Sequence, residues 1–439
     1  MSAAGEVRIG EVLRAWWPLA ASWVLMGAEL PMLSAVVARL EAPEIHLAAY
    51  GGVVFPIALI VEAPIIMMLT ASTALAKDRA SYRALGRVMH GLSAAMTAVH
   101  ALVAFTPLYD LIIVELLEVP AAVVEPGRLG LAVMLPWTWA IASRRFNQGV
   151  LIRGGRQRLI GVGTALRLTV GAVTLAIGYS AGAPGIVVAT TTVIAGVTAE
   201  WLFAQVTVRP TLRAMDEGDP AGVLRGRAFV RFYLPLAFAP LITLIVQPIG
   251  AAAISRMPEA LASLAVWPVV SGLLFLLQGA GLALNEVVVA MVERPGAAAA
   301  LRRFAWLLGG VMAAVVGALV ATPLAGLWFG GVSGLRPELA AMAVVGLGLG
   351  LPIAATRAIE SWYQGVLVHG RQTGAITESV AVFLVVCTGV MLAGVDVGGW
   401  PGLWVAIAGF SVGRVAETGW VWWRSRGLRR GIEGGVRLG

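Results

Sequence analysis

The stretch Gln148-Gly149-Val150-Leu151-Ile152-Arg153-Gly154 returns almost letter for letter as Gln364-Gly365-Val366-Leu367-Val368-His369-Gly370, and each copy closes a long apolar segment. Pro18, Pro31, Arg39, Leu47 and Ala48 reappear at one constant interval as Pro235, Pro248, Arg256, Leu264 and Ala265. Thr106-Pro107-Leu108 returns at almost the same interval as Thr322-Pro323-Leu324. The chain is an internal duplication. Repeated halves inside an apolar chain are a mark of secondary transporters, in which two bundles move about a site held between them.

The solvent of this chain is a bilayer. Of its 439 residues 59% are hydrophobic and 13% charged, with a mean hydropathy of +0.86, more apolar surface than a water-soluble core can hide. Apolar runs of about 20 residues, enough to cross roughly 30 Å of hydrocarbon, recur along the whole length. They predict twelve spans, six in each half: near 15–38, 47–75, 88–107, 129–152, 159–180 and 184–207, then 232–255, 262–291, 304–322, 339–367, 373–394 and 401–423. The N-terminal run is too well continued for a cleaved signal peptide, so the chain is expected to begin near Met1.

Orientation follows from the basic residues, which cytoplasmic loops retain. Loops after even-numbered spans carry Lys77, Arg79, Arg83, Arg87, Arg153, Arg156, Arg158, Arg209, Arg213, Arg225, Arg227, Arg294, Arg302, Arg303 and Arg371, and the tail adds Arg424, Arg426, Arg429, Arg430 and Arg437. Loops after odd spans hold only Arg39, Arg128, Arg256 and Arg336, and the third collects Asp110, Glu115, Glu118 and Glu125. Both termini are therefore expected on the cytoplasmic side. The net charge of +8 does not signal nucleic acid, because the basic residues form no stripe with interleaved aromatics.

Ionisable groups at membrane depth are rare and tend to face a bundle interior or a wet cavity. Here they include Glu29, Glu62, Arg144, Arg145, Arg167, Glu200, Glu286, Arg357, Glu360, Glu378, Arg414 and Glu417. Glu29 precedes Pro31 by two residues and Glu62 precedes Pro64 by two. Proline frees a backbone carbonyl, so each site offers a carboxylate beside a free carbonyl that can hold a proton or Na⁺. The matching part of the second half has the neutral amides Gln247 and Gln278, which makes the halves chemically unequal and suits coupling-ion binding in one and substrate in the other. Candidate substrate-cavity residues are Gln247, Gln278, Glu286, Arg357, Glu360 and Trp362. The spacing i, i+3 also reads Arg357–Glu360 and Arg414–Glu417 as intrahelical pairs that neutralise one another.

The repeated glycines read as tight turns at the ends of the fourth and tenth spans, where the arginine that follows can cap helix carbonyls. No metal-ligand spacing joins His46, His90, His100 and His369, and Cys387 stands alone, so neither a metal, a cofactor nor a disulfide is expected. The Gly-rich stretch Gly346–Gly350 lacks the lysine of a phosphate loop. These absences speak against an enzyme or an ATP-driven pump.

Pro18-Leu19-Ala20, the proline-kinked first helix, Leu47-Ala48-Ala49-Tyr50-Gly51 opening the second span, and the repeated Gln-Gly-Val-Leu motif together resemble the multidrug/oligosaccharidyl-lipid/polysaccharide (MOP) exporter superfamily, which includes the multidrug and toxic compound extrusion (MATE) transporters. Glu29 with its kink, the Leu-Ala-Ala-Tyr-Gly segment and Ala76-Lys77-Asp78-Arg79 are most similar to the progressive ankylosis branch. The resemblance implies an all-α polytopic membrane protein whose twelve helices form two pseudo-symmetric lobes in a MATE-like V: residues 1–210, a cytoplasmic linker at 211–228, and 229–439 with a short basic tail. It implies export of a small organic solute by alternating access, driven by H⁺ or Na⁺, with Glu29 as the match to the coupling acid of the first helix and Glu62 beside it. Gln247 stands where some members carry a further acid. A bound Na⁺ is the one ion such a site would take; the other expected partner is membrane lipid, and a monomer in the plasma (inner) membrane is expected. Two other readings stay open: a flippase for a lipid-linked saccharide or phospholipid, and a membrane-embedded transferase or scaffold using the acidic third loop.

Overall fold

The structure, a computed structural model, describes residues 7–433 apart from 157, 219–225, 228, 231–232, 235–236, 238–240, 242–243, 293, 371 and 373. Arg225, Pro235, Arg371 and Arg437, used above, lie outside the described residues, as does much of the seventh expected span. Among the described residues secondary structure is helical, with no strand. Nine helical stretches there are long and apolar enough to cross a membrane, among them Pro43–Leu75, Ala260–Met291 and Gly374–Val397. This is a multi-pass membrane protein.

The duplication is written into the backbone. Thr106 and Thr322 both leave their helices in extended conformation, at φ −121° and −123°. Each hydroxyl donates to the carbonyl four residues back, Leu102 or Ala318, at 2.6 Å. The proline that follows bars the helical conformation at its predecessor, so the turn is the same twice. A π-helical turn comes next in both copies, Leu111–Leu116 and Leu327–Val332. Ala42 and Glu259, related by the same interval as Arg39 and Arg256, both take the left-handed conformation at φ 45° and 56° to start a helix.

Two compact units divide the chain. One comprises residues 36–255. Its helices are α3 (Phe55–Ile66), α4 (Met68–Leu75), α5 (Arg79–Phe105), α6 (Ala121–Arg153), α7 (Arg158–Ser180), α8 (Gly185–Thr207) and α9 (Val246–Ser255). The long α6 packs against α4, α5 and α8, and α7 lies along α8. The second span begins as α-helix over Pro43–Ala48 but does not continue so. Pro56 has no N–H to give Gly52, and the Phe55 N–H reaches back five residues to Tyr50, which sets a π-helical turn over Ala49–Val54. The helix breaks again at Met67, three residues after Pro64.

The other unit joins residues 7–35 to 256–433. It holds α1 (Ile9–Gly27), the start of α2 (Glu29–Val37), α10 (Ala260–Met291), α11 (Ala297–Ala321), α12 (Pro337–Leu349), α13 (Leu351–His369), α14 (Gly374–Val397), α15 (Gly402–Arg424) and α16 (Arg426–Glu433). Here α10 packs on α1 and α13, α11 on α13, and α14 on α15. The α1–α10 contact is close because Gly27 has no side chain: a Cβ there would stand 3.1 Å from Leu276 Cα. Trp16 Nε1 donates to Ala280 O at 2.7 Å across the same seam. By packing, then, the first helix groups with α10, and α9 groups with the first-half helices, so the units are cut at 35/36 and 255/256, whereas the lobes expected from sequence meet at 211–228. The tenth expected span is two helices, parted at Gly350 just before Pro352.

The repeated glycines differ from the turn role read from sequence. Gly149 and Gly365 sit inside helices at close approaches: a Cβ on Gly149 would strike Ser72 Oγ and Leu69 O, and one on Gly365 would lie 2.5 Å from Val288 Cγ1. They let α6 approach α4 and α13 approach α10, and only Gly154 and Gly370 end their helices. Of the arginines that follow the motif, Arg156 donates to Thr207 O at 3.5 Å, at the end of α8 and not of its own helix, and Arg371 lies outside the described residues; Arg153, inside the motif, donates to Thr73 O of α4 at 3.0 Å.

Candidate functional site

Within residues 36–255, α6 turns one face of charged and amide side chains inward. Arg144, 5% exposed, pairs with Glu200 of α8, itself 1% exposed. Gln148, one turn further along α6, donates Nε2 to Glu200 Oε1 at 2.9 Å, and Arg167 of α7 stands 3.9 Å from Oε2. Asn147 extends the polar face by donating to Gln205 Oε1 at 2.9 Å. Glu62 of α3 is 4% exposed and lies in the field of Arg145, Arg144 and Arg167. Beside it Tyr233 donates its hydroxyl to Pro64 O at 2.6 Å. Three guanidinium groups thus face two carboxylates in an apolar bundle, where unmatched charge is expensive.

The other unit carries a second cluster on the corresponding helices. Arg357 and Glu360 of α13 pair at 2.7 Å, as do Arg414 and Glu417 of α15, the two i, i+3 pairs predicted by spacing. The structure adds what spacing could not show: Arg414 also reaches Glu360 at 3.6 Å, so the pairs are one chain of four charges. Gln364 Nε2 donates to Glu360 Oε1 at 2.7 Å, Ser379 Oγ lies 3.5 Å from Glu417 Oε1, and Glu360 Oε2 is buried without a hydrogen-bond partner. Two cations and two anions balance.

The remaining candidates are scattered. Glu29 is half-buried at the first turn of α2, directly after the helix breaks at Ala28; Pro31 leaves the Gly27 carbonyl without its usual donor. Glu29 and Glu62 fall in different units. Gln247 is half-buried on α9, and Gln278 is half-buried on α10. Glu286 is exposed on α10 and accepts a hydrogen bond from the Trp23 side chain. Trp362, 1% exposed, packs in an apolar core with Leu284, Val288, Leu301 and Phe304, so it lines no open space in this conformation. Among the described residues no group of three or more His, Cys, Asp or Glu side chains is placed to hold a metal. In the acidic third loop Asp110 is taken by Arg128 at 2.5 Å.

Sequence alone shows Gln148 and Gln364 only as part of the repeated motif, Glu200 only as a charge at membrane depth and Glu417 only as the partner of Arg414, so the hydrogen bonds of the glutamines and the contacts that join Glu200 and Glu417 to other helices are missed. The signal was present: Glu200 and Glu417 are separated by the interval of the other landmarks, and each motif glutamine lies four residues after a charged residue on one helix face, Arg144 or Glu360.

No protein-family model matches the chain, and no curated protein matches it. Solved structures do. The chain is similar to the lipid II flippase MurJ in an inward closed conformation, with 12% identity, a TM-score of 0.72, and 95% of this chain and 90% of that one covered. It is similar to a multidrug resistance MATE family transporter of the MOP superfamily in an inward-facing conformation, with 16% identity, a TM-score of 0.67, and 92% and 96% covered. A MOP superfamily transporter from Pyrococcus furiosus, described by the reverse polarity of its binding pocket, matches with 15% identity, a TM-score of 0.60, and 97% and 99% covered. The chain has the fold that these proteins share, the all-α polytopic architecture expected above.

Proposed function

We propose that the chain is a secondary active exporter of a small organic solute, coupled to H⁺ or Na⁺, working by alternating access between lobes 1–210 and 229–439 about the linker 211–228. The observation that carries this reading is Glu62, a 4%-exposed carboxylate within a 33-residue apolar span, acted on by the charges of Arg145, Arg144 and Arg167. A titratable group costs a few kcal/mol at such depth, and binding a coupling ion is what repays it. Glu29 is the second coupling acid, and Gln247, Gln278, Glu286, Arg357, Glu360 and Trp362 belong to the surfaces exposed as the lobes exchange conformations. The protein works as a monomer in the inner membrane with both termini cytoplasmic. Reconstituted into liposomes, it should move solute under a pH or Na⁺ gradient, and Glu62→Gln or Glu29→Gln should abolish the coupling. Undiminished gradient-driven flux in both variants would refute the assignment.

A second reading, a flippase for a lipid-linked saccharide or phospholipid, is favoured by the likeness to MurJ and by the excess of arginine over acid around Glu62. Scrambling of a fluorescent lipid-linked substrate in liposomes without any solute flux would select it.

A further inference from the structure

Of the three arginines around Glu62, Arg145 alone is left unspent. Arg144 is consumed by Glu200, and Arg167 also leans on Glu200. Arg145 Nε is buried with no hydrogen-bond partner, and no ion pair joins the side chain to a carboxylate among the described residues. Its charged neighbours from every packed element are Arg144, Glu62, Glu200 and Arg167, two cations and two anions. Glu200 is already held by Arg144, Gln148 and Arg167, which leaves it nothing to offer. Yet Arg145 is only half-buried, so the end of its guanidinium can be reached.

A charge kept unpaired at membrane depth costs at least a few kcal/mol, and a partner absent from the protein itself is what would offset it. The guanidinium fork presents parallel N–H donors that match carboxylate or phosphate oxygens, and Arg144 and Arg167 nearby add a positive field. We propose that Arg145 is an anion-binding residue that takes a carboxylate or phosphate of the transported molecule, which makes that molecule an organic anion or a phosphate-bearing lipid intermediate. This deepens the transport reading and rests on it. Glu62 is the opposing charge not already held by an ion pair, and it weakens the site while ionised.

Equilibrium binding tests this without any gradient. The full chain in phosphatidylcholine nanodiscs is titrated with inorganic phosphate and with benzoate, benzamide and benzylammonium, which share one ring and differ in charge. Phosphate and benzoate should bind in preference to the other two. Arg145→Gln should weaken both anions by about tenfold or more, Arg145→Lys should fall between, since it keeps the charge and loses the fork, and Glu62→Gln should tighten them. Repeating the phosphate titration in nanodiscs containing phosphatidylglycerol separates the sources: competition in the wild type that disappears in Arg145→Gln assigns a lipid headgroup, and none assigns a free solute. Equal anion affinity in wild type and Arg145→Gln, or a preference for benzylammonium, overturns the proposal. Should Arg145→Gln fail to fold, the charge series on the wild type and the Arg145→Lys variant decide it. Anion binding that persists while gradient-driven flux is absent counts against export alone.

Discussion

Gln148 and Gln364 hold the same place in the two copies of one motif, and each donates its amide to a buried glutamate, Glu200 at 2.9 Å and Glu360 at 2.7 Å. The acceptors are not equivalent. In the first copy the glutamine reaches across to α8, and Arg144 occupies the position on its own helix that Glu360 fills in the second. One duplicated scaffold has thus been given clusters of different charge balance, cationic in the first and neutral in the second. Glu200 is the anion that several groups share, so Glu200→Gln should leave Arg144 buried without its counter-charge and cost about 3–5 kcal/mol. Arg144→Met should be comparably harmful, and the pair together less so than the sum. Thermal or denaturant unfolding of the four proteins in one detergent measures the coupling, and additive losses would show that Arg144 and Glu200 do not act as a pair.

How much of this was legible beforehand depended on which interactions are local. The spans, the duplication and the pairs Arg357–Glu360 and Arg414–Glu417 rest on apolar length or on residues three apart on one helix, and both are readable from spacing. The link from Arg414 to Glu360 and that from Gln148 to Glu200 join different helices, so their existence depends on packing that no periodicity encodes. The glycine motif was found but misread for the same reason. A glycine needed for a turn and one needed for a close helix approach look alike in sequence, and only the nearness of Ser72 to Gly149 tells them apart. Trp362, a cavity candidate from its place beside the repeated motif, packs in the apolar core in this conformation, a contact that sequence position alone does not show.

That close approach gives a second prediction. Gly149→Ala drives a methyl group into Ser72 Oγ and the Leu69 carbonyl and should cost about 1–3 kcal/mol by overpacking. Adding Ser72→Ala should recover part of the loss and not all, because the backbone carbonyl cannot be removed. Gly317→Ala, with nothing within 4 Å of the added carbon, should be neutral or stabilising, since alanine favours the helix by up to about 1 kcal/mol. Unfolding midpoints of the three variants and the wild type check this, and a harmless Gly149→Ala would mean that α4 and α6 are not held this close.

A third prediction concerns the start of α5, where Asp78 closes a capping box: its Oδ1 accepts from the Ser81 N–H at 2.8 Å, and the Ser81 hydroxyl stands 3.0 Å from the Asp78 N–H. The segment after α8 latches to this turn. Arg79 N–H donates to Asp216 O at 2.9 Å, Arg79 pairs with Glu217 at 2.6 Å, and Gly218 at φ +76° lies against the Asp78 carboxylate. The Ser81 backbone and hydroxyl donors hold the Asp78 carboxyl below the ordinary aspartate range, and Arg79 does the same for Glu217. A carboxyl depressed in the folded state contributes above its unfolded value, near 4 for these residues, and loses that contribution as pH falls through the folded value. Asp78→Ala should therefore cost about 1 kcal/mol at pH 7, and the gap from wild type should close only in acid, below about pH 4. Asp78→Asn keeps an acceptor at the cap and should lose less, with a flatter acid profile. Hydrogen exchange at the first turn of α5, followed from pH 7 to pH 3, reads the cap directly. A gap between wild type and Asp78→Ala that widens in acid would have the opposite sign and would exclude the capping carboxylate as its source.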